Sequence, residues 1–151
     1  MTTTATNLGF PDPVSHGEFY ADVTTKRLVA FLIDSLLIVL ITIILIPLTA
    51  FIALLFFGFV GLLVSLIYRT VSLSRRSATP GMRLMGIEFR THQGERLSPG
   101  MAIVHTVLFT LSMSMVFPQV ISIILMLTTA KGQSLNDFLL GTAVINKAAL
   151  N

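Results

Sequence analysis

No cysteine occurs in the 151 residues. Disulfides, thiolate metal sites and cysteine nucleophiles are therefore excluded, and redox chemistry says nothing about compartment. Charge is scarce as well. Only 11% of the chain is Asp, Glu, Lys or Arg while 54% is hydrophobic, and residues 28–68 carry a single charged side chain, Asp34. A soluble core of this size could not hide such a run, so the composition reads as an integral membrane protein. The first 25 residues hold no Lys or Arg but do hold Asp12, Glu18 and Asp22. A secretory leader needs a basic stretch directly before its apolar run, so an uncleaved anchor is expected instead. Catalytic signatures are missing too: there is no Gly-rich phosphate loop, no HExxH and no Ser-His-Asp arrangement. No enzymatic activity, cofactor or metal site is expected. The length leaves no room for a separate catalytic domain. The net charge of +3 comes from bases beside apolar segments, which fits anionic lipid and the positive-inside rule rather than nucleic acid.

What is present is organised around residues 26–45, KRLVAFLIDSLLIVLITIIL. This is an apolar helix of spanning length, opened by Lys26 and Arg27 and carrying Asp34 inside it. A carboxylate near the centre of a spanning helix costs about 2.5–3.5 kcal/mol on insertion scales. Seven residues separate Arg27 from Asp34, so both lie on nearly one face with the acid roughly 10 Å deeper.

Along the chain, residues 1–25 read as a flexible polar tail and 28–46 as a first span ending at Pro47. Residues 51–68 read as a second span, whose Gly58 and Gly61 would admit a close neighbour. Residues 69–98 form a polar loop with Arg69, Arg75, Arg76, Arg83, Arg90 and Arg96, which places it and the N-terminus in the cytoplasm. Within it, 86–91 and 95–97 read as a short β-hairpin around His92-Gln93-Gly94. Ser98-Pro99 opens the next helix. Residues 100–130 carry no charge and leave two readings: one tilted or kinked span, or two short helices, about 100–115 and 118–130, that return to the cytoplasm. Ser134 to Asp137 reads as a helix cap, Gly141 as that helix's end, and 142–146 as a strand able to pair with 86–91 if the tail is cytoplasmic. Residues 147–151 are a C-terminal tail.

Four segments, in this order and spacing, resemble the RDD family of small multi-pass membrane proteins: KRLVAFLID (26–34), TPGMRLMGIEF (79–89), GERLSPGMA (94–102) and QSLNDFLLGT (133–142). The resemblance covers about residues 26–146. Carried over residue by residue, the name-giving Arg, Asp and Asp are Arg27, Asp34 and Asp137. Two positions depart from the family pattern. Met82 stands where a basic residue is common, and Asn136 where a His is common, which removes an ionisable group beside Asp137. The resemblance implies transport of a solute, with cation/proton exchange in some members.

The expected fold is an all-α membrane bundle of two full spans plus the 100–130 region, with a short cytoplasmic β-hairpin. The candidate polar site is Arg27, Asp34 and Asp137. Asp34 is either a proton- or cation-binding acid whose charge state Arg27 sets, or a structural partner of Arg27. Arg27 is otherwise an interfacial anchor. Asp137 either joins them or only neutralises a helix start. His105 lacks a second ligand at metal spacing and reads as a packing residue. Two functions follow: transport of a small solute or cation through Asp34, or a non-transporting accessory scaffold. Either implies the lipid bilayer as a partner and a homo-oligomer or membrane partner protein, in the bacterial cytoplasmic membrane.

Overall fold

The computed structural model describes residues 10–49 and 52–150. Helix α1 (Val23–Leu48) is continuous through Pro47. At about 1.5 Å per residue its length exceeds the ~30 Å apolar thickness of a bilayer. Pro47 lies in the last turn and does not end the helix one residue earlier as the sequence predicts. A short turn of helix, α2 (Ile52–Leu55), leads into α3 (Phe57–Arg76). The second long helix therefore extends past Tyr68, and Arg69, Arg75 and Arg76 lie on it rather than in a loop.

Helix α4 (Pro80–Leu84) starts with Thr79 as its cap and Pro80 in its first turn, and strand β1 (Ile87–Thr91) follows. Helix α5 (Pro99–Ser114) starts at Ser98, whose hydroxyl accepts from the Met101 N–H at 3.2 Å. Met115 is extended, and α6 (Val116–Thr128) leaves at 111° to α5. Pro118 falls in the first turn of α6, where its missing N–H has no intrahelical partner to lose. The uncharged 100–130 region is thus two short helices. Helix α7 (Leu135–Leu140) carries the expected capping box, with Ser134 and Asp137 each bonding the other's backbone N–H, and ends at Gly141 in the left-handed conformation. Strand β2 (Thr142–Asn146) closes the fold.

The expected hairpin is not formed. β1 pairs antiparallel with β2, Ile87 opposite Asn146 and Thr91 opposite Thr142. All five residues of β2 are buried, so they can cover β1. Glu95 and Arg96 are exposed, and the Leu97 N–H turns instead to the Ser77 hydroxyl at 2.8 Å. The segment expected as a flexible tail is folded over its described part. Gly17–Phe19 forms a 3-10 turn, and Phe19 and Tyr20 pack with Ile145. Residues 1–9 lie outside the described residues.

The apolar core sits at one end, where Val23 and Ala30 of α1 meet Leu73, Met82, Ile87, Phe89, Ala102 and Val144. Away from that end large apolar side chains face outward: Leu36 and Ile44 of α1, Leu55 of α2, and Phe117 of α6 at 84% exposure. An apolar surface of this extent marks an interaction with lipid or protein. Both ends of the α5–α6 pair lie at the packed end. α5 begins just after Leu97, which is tied to Ser77 beyond the end of α3. α6 ends where the Met126 carbonyl accepts from Thr24 of α1 at 3.0 Å. Both ends of the pair therefore lie on the same side of the molecule.

Candidate functional site

The first turn of α7 fixes Asp137 at the packed end, fully buried. Four donors reach its two oxygens. Arg27 Nη1 at 2.6 Å and the Ser134 N–H at 2.9 Å approach Oδ2. His105 Nε2 at 3.1 Å and Thr142 Oγ1 at 3.3 Å approach Oδ1. A carboxylate offers about four acceptor positions, so Asp137 is saturated. Burial alone would push its carboxyl up. The Arg27 guanidinium, the His105 hydrogen bond and the Ser134 N–H outweigh that and hold it well below the usual carboxylate range. Arg27 also donates to the Gly132 carbonyl at 3.1 Å and lies 5.6 Å from the Phe89 ring centre. The Phe89 ring in turn meets His105 edge-on at 4.5 Å.

Asp34, on α1, is equally buried but sits apart from that cluster. Its Oδ1 accepts from the Tyr68 hydroxyl of α3 at 2.7 Å and from the Gly81 N–H at 2.8 Å, and its Oδ2 accepts from the Thr79 hydroxyl. The expected Arg27–Asp34 pair is not formed, because Arg27 turns to Asp137. The close approach expected at Gly58 and Gly61 is not made either. Among the described residues, a side-chain carbon at Gly61 would meet only the Thr42 hydroxyl, at 4.0 Å, and one at Gly58 would meet nothing within 4 Å. Gly81 is the glycine that faces the acid. A Cβ there would lie 2.9 Å from the Asp34 carboxyl carbon and closer still to the Ala30 carbonyl oxygen.

A cavity of about 570 Å³ opens between α1, α3, α5 and α6, with Arg27, Asp34, Arg69 and His105 among its lining residues. Its walls are otherwise mostly apolar. Asn136 and Met82, the two departures from the family pattern, also line it. Arg69 lies with its guanidinium carbon 4.1 Å from the Phe109 ring centre and 6.0 Å from that of Phe31. Among the described residues, no group of three or more His, Cys, Asp or Glu is arranged to hold a metal ion.

Of the three predicted site residues the structure joins Arg27 to Asp137 and leaves Asp34 on another wall of the cavity. Sequence reasoning missed His105 as a partner of Asp137, and it missed Tyr68, Thr79 and Arg69 around Asp34. Tyr68 and Thr79 stand 34 and 45 residues from the acid they bond. No periodicity connects such positions. The one available signal was Thr79-Pro80, a cap followed by proline at a helix start.

Among the described residues, two helices are long and apolar enough to cross a membrane, and a bent helical pair accompanies them. With the packed end closed by a small sheet, these features point to a helical membrane protein. The chain belongs to the RDD family, whose model matches residues 21–141. No curated protein and no solved structure matches it.

Proposed function

We propose that this protein is a multi-pass transporter of a small solute in the bacterial cytoplasmic membrane, with Asp34 as its solute- or proton-binding acid. In this reading α1 and α3 cross the bilayer, α5 and α6 enter and return, and the packed end faces the cytoplasm. Lys26, Arg75, Arg76, Arg83, Arg96 and Lys147 gather in that end's segments, and a surplus of Lys and Arg favours the cytoplasmic side. A chain this short encloses a path most readily as a homo-oligomer.

One observation carries the transport reading. Asp34 lines the cavity and is reached by three donors where a carboxylate can take four, so it keeps acceptor capacity on Oδ2. Asp137, by contrast, has no capacity left. A second reading, a non-transporting accessory scaffold, draws on the same bonds. Tyr68, Thr79 and Gly81 tie α1 to α3 and α4 through Asp34, and holding helices together needs no flux.

Asp34→Asn in proteoliposomes loaded with a pH-sensitive dye separates the two. Vesicles are challenged in turn with Na+, K+ and small organic acids. The transport reading expects a solute-driven proton movement in the wild type that Asp34→Asn abolishes while still eluting as a folded protein. A wild type with no such movement for any class of solute removes this reading and leaves the scaffold.

A further inference from the structure

The cavity contains two polar groups that the fold leaves without partners. The Arg69 Nε and the Thr106 hydroxyl are both buried with no hydrogen-bond partner, and both residues line the cavity. Thr106 is 1% exposed. Among the described residues the Ser112 hydroxyl is the one other buried hydroxyl left idle. Thr42, Thr110 and Thr128 each turn their hydroxyl to the carbonyl four residues back, at 2.7–2.9 Å. Thr106 has the same option one turn below and does not take it. An unpaired buried donor is costly, and native proteins keep few such groups without a use for them.

The charge around these groups narrows the choice of ligand. Arg27 is matched by Asp137 through an ion pair at 2.6 Å. Arg69 forms no ion pair within 4.0 Å and no hydrogen bond through its guanidinium among the described residues. Phe109 and Phe31 support it through ring contacts instead. A guanidinium stacked on a ring keeps its in-plane N–H groups available, and that planar edge suits a carboxylate or phosphate oxygen pair. The Asp34 carboxylate acts on Arg69 only across space, with no bond between them, so the N–H edge stays open to one oxyanion. The walls around it are apolar, and ~570 Å³ is far more than a small anion fills. It lies within the range of ordinary small-molecule sites.

We infer that the cavity binds an amphipathic monoanion, its oxyanion held by the Arg69 guanidinium and the Thr106 hydroxyl and its apolar body lodged beside Phe31 and Phe109. The inference rests on the proposed transport reading only for its use, since it names the class of solute; the site stands on the geometry alone. The shared chemistry is an oxyanion on an apolar body. It can come from a water-soluble organic acid or from a membrane lipid carrying one phosphate charge.

The test uses the full chain in nanodiscs of phosphatidylcholine, with empty discs subtracted. Binding of three matched probes is measured by equilibrium dialysis: 4-phenylbutyrate, 4-phenylbutanol and 4-phenylbutylamine. The acid is expected to bind saturably, the alcohol about 10-fold to 100-fold more weakly, and the amine not at all. Absence of saturable binding, equal binding of the alcohol, or preference for the amine overturns the site. Arg69→Gln is expected to remove the preference for acid over alcohol, and an unchanged preference also overturns it. If Arg69→Gln does not fold, the wild-type series decides alone, with Thr106→Val as the milder variant, expected to weaken the acid and leave the alcohol unchanged. Adding phosphatidylglycerol to the discs distinguishes the source. Displacement of the acid assigns the site to lipid, and no displacement assigns it to a soluble acid; both support it. Solute-driven flux without binding of the acid leaves the transport reading and ends this one. Binding without flux does the reverse.

Discussion

The two buried carboxylates of this protein are held in opposite ways. Asp137 is stabilised by charge: a guanidinium at 2.6 Å, a histidine at 3.1 Å and its own helix cap. Asp34 is stabilised by dipoles: a tyrosine hydroxyl, a threonine hydroxyl and a glycine N–H, with no ion pair. The first arrangement closes the acid off. It lies at the packed end, where the last elements of the chain must meet the first helix. The second holds the acid at the wall of a cavity and leaves it in reach of something else. Burial alone does not distinguish the two acids; the chemistry of the donors does.

The largest difference should appear when each acid is removed. Asp137→Ala strands Arg27 in a site where its own side chain is only 15% exposed. Loss of one partner of a buried pair costs about 3–5 kcal/mol. Asp34→Ala strands three neutral donors, at about 1–3 kcal/mol, and takes from Arg69 only a charge that acts across space. Thermal unfolding in one detergent should rank Asp137→Ala well below Asp34→Ala, and equal losses would break the contrast.

Acid should attack the two sites unequally as well. The Asp137 carboxyl lies well below its ordinary value when folded. Its contribution is therefore complete above the unfolded value of about 3.9 and drains away as pH falls from there toward the folded value. The melting temperature should hold from pH 7 to about pH 5 and then drop. Asp137→Asn should start lower and fall less steeply. A wild-type decline already under way at pH 6 would point to a histidine instead.

Gly81→Ala addresses the close fit that Asp34 needs. A methyl group there meets the Ala30 carbonyl and the acid, so a loss of about 1–3 kcal/mol is expected from overpacking. The same change at Gly58 meets nothing and should leave unfolding unaltered. A smaller loss than that of Gly81→Ala is expected from Tyr68→Phe. It removes one of three donors, about 0.5–1.5 kcal/mol in unfolding. A loss as large as that of Asp34→Ala would mean that Tyr68 carries the whole clasp.

Much of the fold was legible because it is local. Residues 28–46 announce a long apolar helix. The Ser134–Asp137 box and the glycine at 141 announce a six-residue helix, and the structure keeps both ends. The α5–α6 pair was legible as one of two alternatives. Hydropathy weighs it like a single span, and the return is selected by contacts distant in sequence, the tie from Thr24 to Met126 and the pairing of β2 with β1. The hairpin was misread for a similar reason. Residues 95–97 had the right spacing from 86–91, but the strand that could bury its whole length came from residues 142–146. At the site, three carboxylate and guanidinium positions were visible as charges in an apolar sequence. Their partners were not. His105, Tyr68 and Thr79 are ordinary residues until the chain folds them against an acid more than thirty residues away.

The bond between Arg27 and Asp137 spans 110 positions of the chain, and it has a consequence in time. At roughly 5–20 residues per second, on the order of ten seconds of synthesis passes between the emergence of one partner and the other. For that interval the first helix carries a guanidinium whose counter-charge does not yet exist. Strand β1 likewise waits for β2 with an open edge. The packed end is therefore completed only after residues 137–146 have emerged. A chain halted before residue 137 displays an unmatched cation and an uncovered strand together, a signature by which quality-control proteases could tell an unfinished molecule from a finished one.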